Sequence, residues 1–220
     1  MFGAVDLARC ERRESSQNGE DGVIAAMCPE PGYFVEFGCD DAVECNCAAL
    51  LRRRWRGLLM DGAGCSWNRR AKVEKEFVTA ENVEELFAKH AVPRRFDFLS
   101  IDIDGNDYWV WKALVGWRPR VVCIEYNSHY GCEEALSIRY NSAHVWRWTD
   151  YYGATLKALA DLGAAKGYTL VYCDAAGCNA FFAEDPAPFV RRSLEELWRP
   201  PNFDGRGARH PKDWRRLEAV

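Results

Sequence analysis

Short apolar runs alternate with amphipathic stretches along most of the chain. Val23, Ile24 and Met27 fall on one face of residues 19–28, which predicts a helix stopped by Pro29 and Pro31-Gly32. Tyr33-Phe34-Val35-Glu36-Phe37-Gly38 predicts a buried strand, and residues 45–54 a helix ending in arginines. Gly57-Leu58-Leu59-Met60-Asp61-Gly62 predicts a second strand. Residues 67–75 read as helical, Glu76-Phe77-Val78-Thr79 as a brief third strand, and 82–90 as a helix with Val83, Leu86 and Phe87 inward. A fourth strand is expected from Phe96 to Ile103. Asn106 then serves as N-cap of a helix running to Val115, and Arg120 to Tyr126 form a fifth strand.

The rhythm breaks over 127–150, an irregular stretch rich in Tyr, Trp and His; a loop of that length in a compact domain suits a functional lid. A helix over 154–166, closed by Gly167, leads to strands 168–173 and 179–183. The tight Asp174-Ala175-Ala176-Gly177 turn between them makes that pair antiparallel. Beyond Pro186 the chain is rich in Pro and Arg, with one helix expected at 190–198, and reads as a surface appendage. The domain boundaries that follow are an extension over 1–14, a domain over 15–184 and a tail over 185–220. Five strand–helix units followed by a hairpin imply an open α/β sheet covered by helices on both faces. Ligands of such sheets bind at the carboxyl ends of the strands.

Composition narrows the classes. A net charge of -4 over 220 residues excludes a strongly basic nucleic-acid binder. The cluster Arg52, Arg53, Arg54 and Arg56 reads as a solvated helix end. Ten cysteines raise the question of disulfides, yet no CxxC occurs and only four histidines are present. Free, reduced, mostly buried thiols and a cytoplasmic location are therefore expected. The first residues carry no apolar signal segment. No run approaches the roughly 18 apolar residues of a membrane span, so no membrane partner is expected.

The chemistry sits at the strand ends. Glu36 precedes Gly38, Cys39 and Asp40-Asp41, so an acid and a glycine open a polar loop. Gly38 allows close backbone approach, and Glu36 can accept from a ligand ammonium. Asp61 ends the second strand about 20 residues later, where a carboxylate can hold ribose hydroxyls. A phosphate loop of the GxxxxGK[ST] type and a GxGxxG sequence are both absent from the chain. The acidic first loop would repel a pyrophosphate. A cationic nucleoside cofactor, S-adenosylmethionine, is the better electrostatic match. In that reading Ala80 and Glu81 lie beside the adenine, although Thr79 also suits a simple helix cap. Asp102, Asp104 and Asp107 place three acids within six residues. Asp104, Asp107 and Asn127 offer hard oxygens suited to Mg²⁺, but a set of turn caps explains the same spacing and is preferred. His129 and His144 are candidate bases in the aromatic stretch.

These motifs resemble a known family. Ser16-Gln17-Asn18-Gly19-Glu20-Asp21-Gly22 is similar to the opening motif of FkbM-type S-adenosylmethionine-dependent methyltransferases. Tyr33 to Leu50, Trp55 to Gly62 and Phe96 to Asp107 resemble the family's first, second and fourth strand regions in order. The resemblance spans residues 15–184. It implies a class I methyltransferase fold: seven strands in the order 3-2-1-4-5-7-6, the last antiparallel. It further implies that Glu36 and Gly38 meet the methionine part of the cofactor, with Cys39 in the same cofactor-binding loop, that Asp61 holds the ribose, and that Glu81 approaches the adenine. Asp102 and Asp104 would line the transfer site. O-methylation of a sugar or small-metabolite hydroxyl is the implied reaction, with Asp104 or His129 as base. Cys39 and Ala42 depart from the family's glycines and motivate the alternative, a catalytically silent domain that binds a protein partner.

Overall fold

The computed structural model describes residues 3–63, 71–203 and 209–220. Its elements in chain order are α1 (Glu20–Met27), β1 (Tyr33–Phe37), α2 (Ala48–Arg52), β2 (Arg56–Asp61), β3 (Val73–Lys75) and α3 (Val83–Lys89). There follow β4 (Arg95–Ile101), α4 (Asp107–Ala113), β5 (Arg118–Glu125), β6 (Leu136–Ser137) and α5 (Leu156–Ala165). The chain closes with β7 (Thr169–Cys173), β8 (Asn179–Ala183), α6 (Leu194–Leu197) and β9 (Glu218–Ala219).

Seven strands form one sheet in the order β3-β2-β1-β4-β5-β8-β7. Neighbours from β3 to β5 are parallel, and β8 runs antiparallel to both β5 and β7. Counted within the sheet, this is the order 3-2-1-4-5-7-6 with the last strand reversed, so the class I methyltransferase fold is confirmed. The expected hairpin supplies the reversal, with Gly177 at φ 75° closing its turn.

Strand alternation sorts side chains between two cores. Val35, Phe37, Leu99, Ile101, Val122 and Ile124 face the layer of α3, α4 and α5. Phe34, Phe98, Val121 and Cys123 face α1 and α2. Burial on both faces explains why the strands read as near-continuous apolar runs. All nine described cysteines are free thiols, and six of them are buried. Among the described residues no helix is long and apolar enough to cross a membrane.

Four expectations change. The third strand is Val73–Lys75, paired with Leu59–Asp61, and not residues 76–79. Val73 turns into the core while Phe77 stands 53% exposed, so the apolar pair Phe77-Val78 lies in the loop after the strand. Residues 71–75 are accordingly not helical, and 67–70 lie outside the described residues. The segment after 184 is not an appendage. Phe189, Leu197 and Leu217 are buried, and β9 pairs with β6 inside the long aromatic stretch. The expected helix at 190–198 is the single turn α6, capped at both reciprocal bonds by Ser193 and Glu196.

Candidate functional site

A cleft of about 1100 Å³ opens at the carboxyl ends of β1, β2, β4 and β5. Its lining includes Glu36, Gly38, Cys39, Asp61, Asp102 and Asp104, which sequence reasoning had separated by up to 68 positions. Among the described lining residues carboxylates recur and no lysine or arginine is present.

Glu36 ends β1 2% exposed, and its carboxylate accepts the backbone N–H of Asn46 at 2.9 Å and of Cys47 at 2.8 Å. Burial raises its proton affinity and these two N–H groups counter the rise. Glu36 thus fixes the loop that leads into α2. Gly38 takes φ 78°, and a Cβ there would stand 1.4 Å from the Asp102 carbonyl oxygen. The glycine is demanded by the close approach of the chain just beyond β1 to the chain just beyond its parallel neighbour β4. Cys39 turns its thiol toward the Met60 carbonyl at 3.6 Å and is 2% exposed. Ala42 sits at φ 55°, the left-handed region where a glycine is at ease.

Asp61 links two loops: one oxygen accepts Asp40 N at 3.0 Å and the other accepts Ala63 N at 2.8 Å. An ionised carboxylate has about four acceptor positions, so two remain for a ligand facing it. Glu76, Phe77 and Val78 border the cleft beyond Asp61. Ala80 and Glu81, placed beside an adenine by sequence, lie outside this lining; Glu81 instead accepts from the Tyr140 hydroxyl.

At the opposite end, Asp102, Asp104 and Glu125 bring one oxygen each to within 4.8 Å of one another. Burial, then the neighbouring acids, raises the proton affinity of all three. Asp104 is open to the cleft and is pushed up to about 6. Of the expected hard-oxygen set, Asp107 and Asn127 are committed elsewhere. Asp107 is fully buried and accepts Ile103 N and Gly105 N, both at 2.8 Å, which ties the turn at Asp104. Asn127 donates to the Asp150 and Tyr152 carbonyls and accepts from His129, so it latches the aromatic stretch. Glu125 takes their place beside Asp102 and Asp104. These three oxygens are the set that a divalent ion would find here.

His129 does not border the cleft. Its Nε2 accepts the His210 backbone N–H at 2.9 Å, which leaves Nδ1 protonated toward Asn127 Oδ1 at 3.2 Å. Burial, then the charges of His210 and Arg209, lower it to about 4. A ring with both nitrogens engaged is a structural latch and not a base. The histidines at the cleft are His144 and His210.

The far wall is aromatic. Trp146 and Trp148 stand with ring centres 4.6 Å apart, and Trp146 meets His210 edge-on at 4.8 Å. Phe203 stacks on His210 at 4.8 Å. The tail holds this wall in place: Asp213 N donates to Asp150 Oδ1 at 2.7 Å, and Thr149 Oγ1 donates to Asp213 Oδ2 at 2.8 Å. Glu125, at the end of the fifth strand, follows from the same strand-end rule as Asp102. Phe203 and His210 carry no local signal, because their contacts reach across the chain.

No family model matches the chain, and no curated protein matches it. Among solved structures it is similar to a 1,6-didemethyltoxoflavin-N1-methyltransferase from Burkholderia thailandensis, determined with 1,6-didemethyltoxoflavin and S-adenosylhomocysteine bound. The two share 14% identity over 74% of each chain, with a TM-score of 0.47. At that distance the fold class rests on the sheet order itself, and the FkbM resemblance rests on its motifs.

Proposed function

We propose that this chain is an S-adenosylmethionine-dependent methyltransferase acting on a small-molecule acceptor. The observation that carries the reading is the cleft itself. It lies at the strand ends where α/β sheets bind ligands, and it is acid-lined with no lysine or arginine among its described residues. Such a cleft repels nucleotide phosphates and attracts a sulfonium and an ammonium group.

The residues fit the cofactor. Asp61 has acceptor positions free for ribose hydroxyls, and the exposed Phe77 ring offers a face for a purine. Glu36 keeps the first loop in shape, and Gly38 keeps its backbone against β4. When bound, the cofactor supplies a methyl group already activated by its sulfonium. The chain's own contribution is placement and proton handling. The aromatic wall offers apolar ring faces to the acceptor, and Asp102 and Glu125 lie at the strand ends beside it. Asp104, with its proton affinity raised toward neutrality, can take a proton from an acceptor hydroxyl. O-methylation of such a hydroxyl is the finer reading that the family resemblance supports.

Mg²⁺ enters this reading only as an occupant of Asp102, Asp104 and Glu125, and no step depends on it. The partner-binding alternative was motivated by Cys39 and Ala42. With both side chains in place the cleft keeps about 1100 Å³, more than a single small ligand requires, which favours catalysis over a silent module.

Titration calorimetry with S-adenosylmethionine and S-adenosylhomocysteine tests the proposal. Both are expected to bind, and Asp61→Ala to weaken them about tenfold or more, the loss of a charged acceptor for two hydroxyls. Absence of binding by either at millimolar concentration would overturn it.

A further inference from the structure

The acceptor half of the cleft shows an unusual balance of hydrogen-bonding atoms. Asn106 and Asn179 each line it at 5% exposure, and each has an Oδ1 with no partner. Their amide orientations are fixed by what holds the other end. Asn106 Nδ2 donates to the Asn141 carbonyl at 2.8 Å, and Asn179 Nδ2 donates to the Glu20 carboxylate at 2.9 Å. Both neighbours are pure acceptors, so each NH₂ must face them and each Oδ1 must face away. Glu125 Oε2 is a third buried acceptor without a partner. Asn179 pairs directly with Glu125 across β8 and β5, so these two stand side by side. Asp102 follows Ile101, whose register partner on β5 is Ile124, so Asp102 ends the adjacent strand level with Glu125.

Three buried side-chain oxygens of this lining, Asn106 Oδ1, Asn179 Oδ1 and Glu125 Oε2, are thus without a partner, against two unpartnered ring nitrogens, His144 Nε2 and His210 Nδ1, in the same cleft. A buried acceptor left unpaired is costly, and the adjacent pair Asn179–Glu125, with Asn106 in the same cleft, calls for donors from a ligand. A hydroxyl brings one donor and an ammonium brings three. A carboxylate ligand brings none and would meet like charge. The same cleft is lined by Trp146, Trp148, Phe203 and His210, whose π faces attract a cation and pack against a flat apolar body.

We infer that the acceptor substrate is an amine: a planar apolar molecule whose protonated nitrogen seats on Asp102, Glu125, Asn106 and Asn179 beneath the Trp146–His210 wall. This inference rests on the methyltransferase reading for the word acceptor, but the recognition of the amine stands on this cleft alone. The nitrogen is the recognition group, and the hydroxyl that receives the methyl group can lie elsewhere on the same molecule.

The test uses three indoles that differ only in the charge of the tail: tryptamine, tryptophol and indole-3-propionate. Binding to the protein is followed by calorimetry, in EDTA, with and without saturating S-adenosylhomocysteine. Tryptamine is expected to bind about tenfold or more tighter than tryptophol, as for a charged hydrogen bond against a neutral one, and the propionate not at all. Asn179→Leu combined with Glu125→Gln should level tryptamine with tryptophol while leaving S-adenosylhomocysteine affinity within about threefold. Equal affinity of the three indoles overturns the inference. So does displacement of tryptamine by S-adenosylhomocysteine, which would assign the acceptors to the cofactor's own amino group. An amine preference seen only when Mg²⁺ replaces EDTA would also overturn it. If the amine preference holds and S-adenosylhomocysteine fails to bind, the methyltransferase reading is the part that falls.

Discussion

Gly38 approaches Asp102 so closely that a Cβ on the glycine would stand 1.4 Å from the Asp102 carbonyl oxygen. The clash is with backbone, and the glycine's φ of 78° disfavours any other residue. This close approach ties the first loop to the acid cluster. Gly38→Ala is expected to cost more than about 2 kcal/mol, since both strain and backbone displacement contribute. Urea denaturation measures it. A variant as stable as the parent would show that the chain beyond β1 does not approach Asp102 this tightly.

Asp104 sets a pH dependence. Burial, then Asp107 and Asp61, push its carboxyl up to about 6 in the folded chain, from the ordinary carboxylate value. The folded state therefore holds the extra proton between those values, and its stability falls as pH rises through that window. Asp104→Asn removes the penalty. At about pH 8 it should raise stability by about 1 kcal/mol, a figure reduced from the full shift because the group is open to water, and at about pH 3.5 it should do nothing. Thermal melts at both pH values check this. A gain of equal size at both would contradict it.

Asp21 works in the opposite direction. It is 2% exposed, and one of its oxygens accepts the backbone N–H groups of Glu14, Ser15 and Ser16, each at 2.7 Å. Burial pushes its carboxyl up, but these N–H groups outweigh it and the net value is lowered. Its stabilisation is full above the ordinary carboxylate value and is lost as pH falls through the depressed one. Asp21→Ala is expected to cost about 3 kcal/mol at neutral pH, as for removal of a buried charge with several donors. Chemical denaturation reads the loss.

His129 is held neutral at about 4, below the ordinary histidine value, by burial and then by His210 and Arg209. The folded state binds fewer protons between those values, so this group makes stability rise with pH across them. His129→Ala should remove that part of the slope, of order 1 kcal/mol, and lower stability at neutral pH by loosening the latch to His210. Melting temperatures across that range provide the check. If His129 were the catalytic base, its removal would abolish turnover at a temperature where the variant remains folded.

The sheet was legible because alternation and strand-end glycines are local signals. Glu36, Gly38, Asp61, Asp102 and Asp104 follow from one rule about where α/β sheets bind, and the fold gathers all five at one cleft. What local signals missed was of two kinds. Phe77-Val78 has strand propensity, yet pairing with β2 is set by Val73, so the third strand lies three residues earlier. The aromatic wall depends on contacts between residues 127–155 and the tail, such as Asp213 to Asp150 and β9 to β6, and no periodicity announces those. For the same reason Asn127 and His129 looked like site residues by type. Their hydrogen bonds show them holding the wall that His144, Trp146 and His210 present to the cleft.

A crystal structure of the protein soaked in S-adenosylhomocysteine tests the central claim most directly. The nucleoside is expected at the carboxyl ends of β1 and β2, with its ribose hydroxyls on Asp61 and its base against Phe77. A nucleoside bound away from Asp61, or a cleft without nucleoside density at saturating concentration, would contradict it.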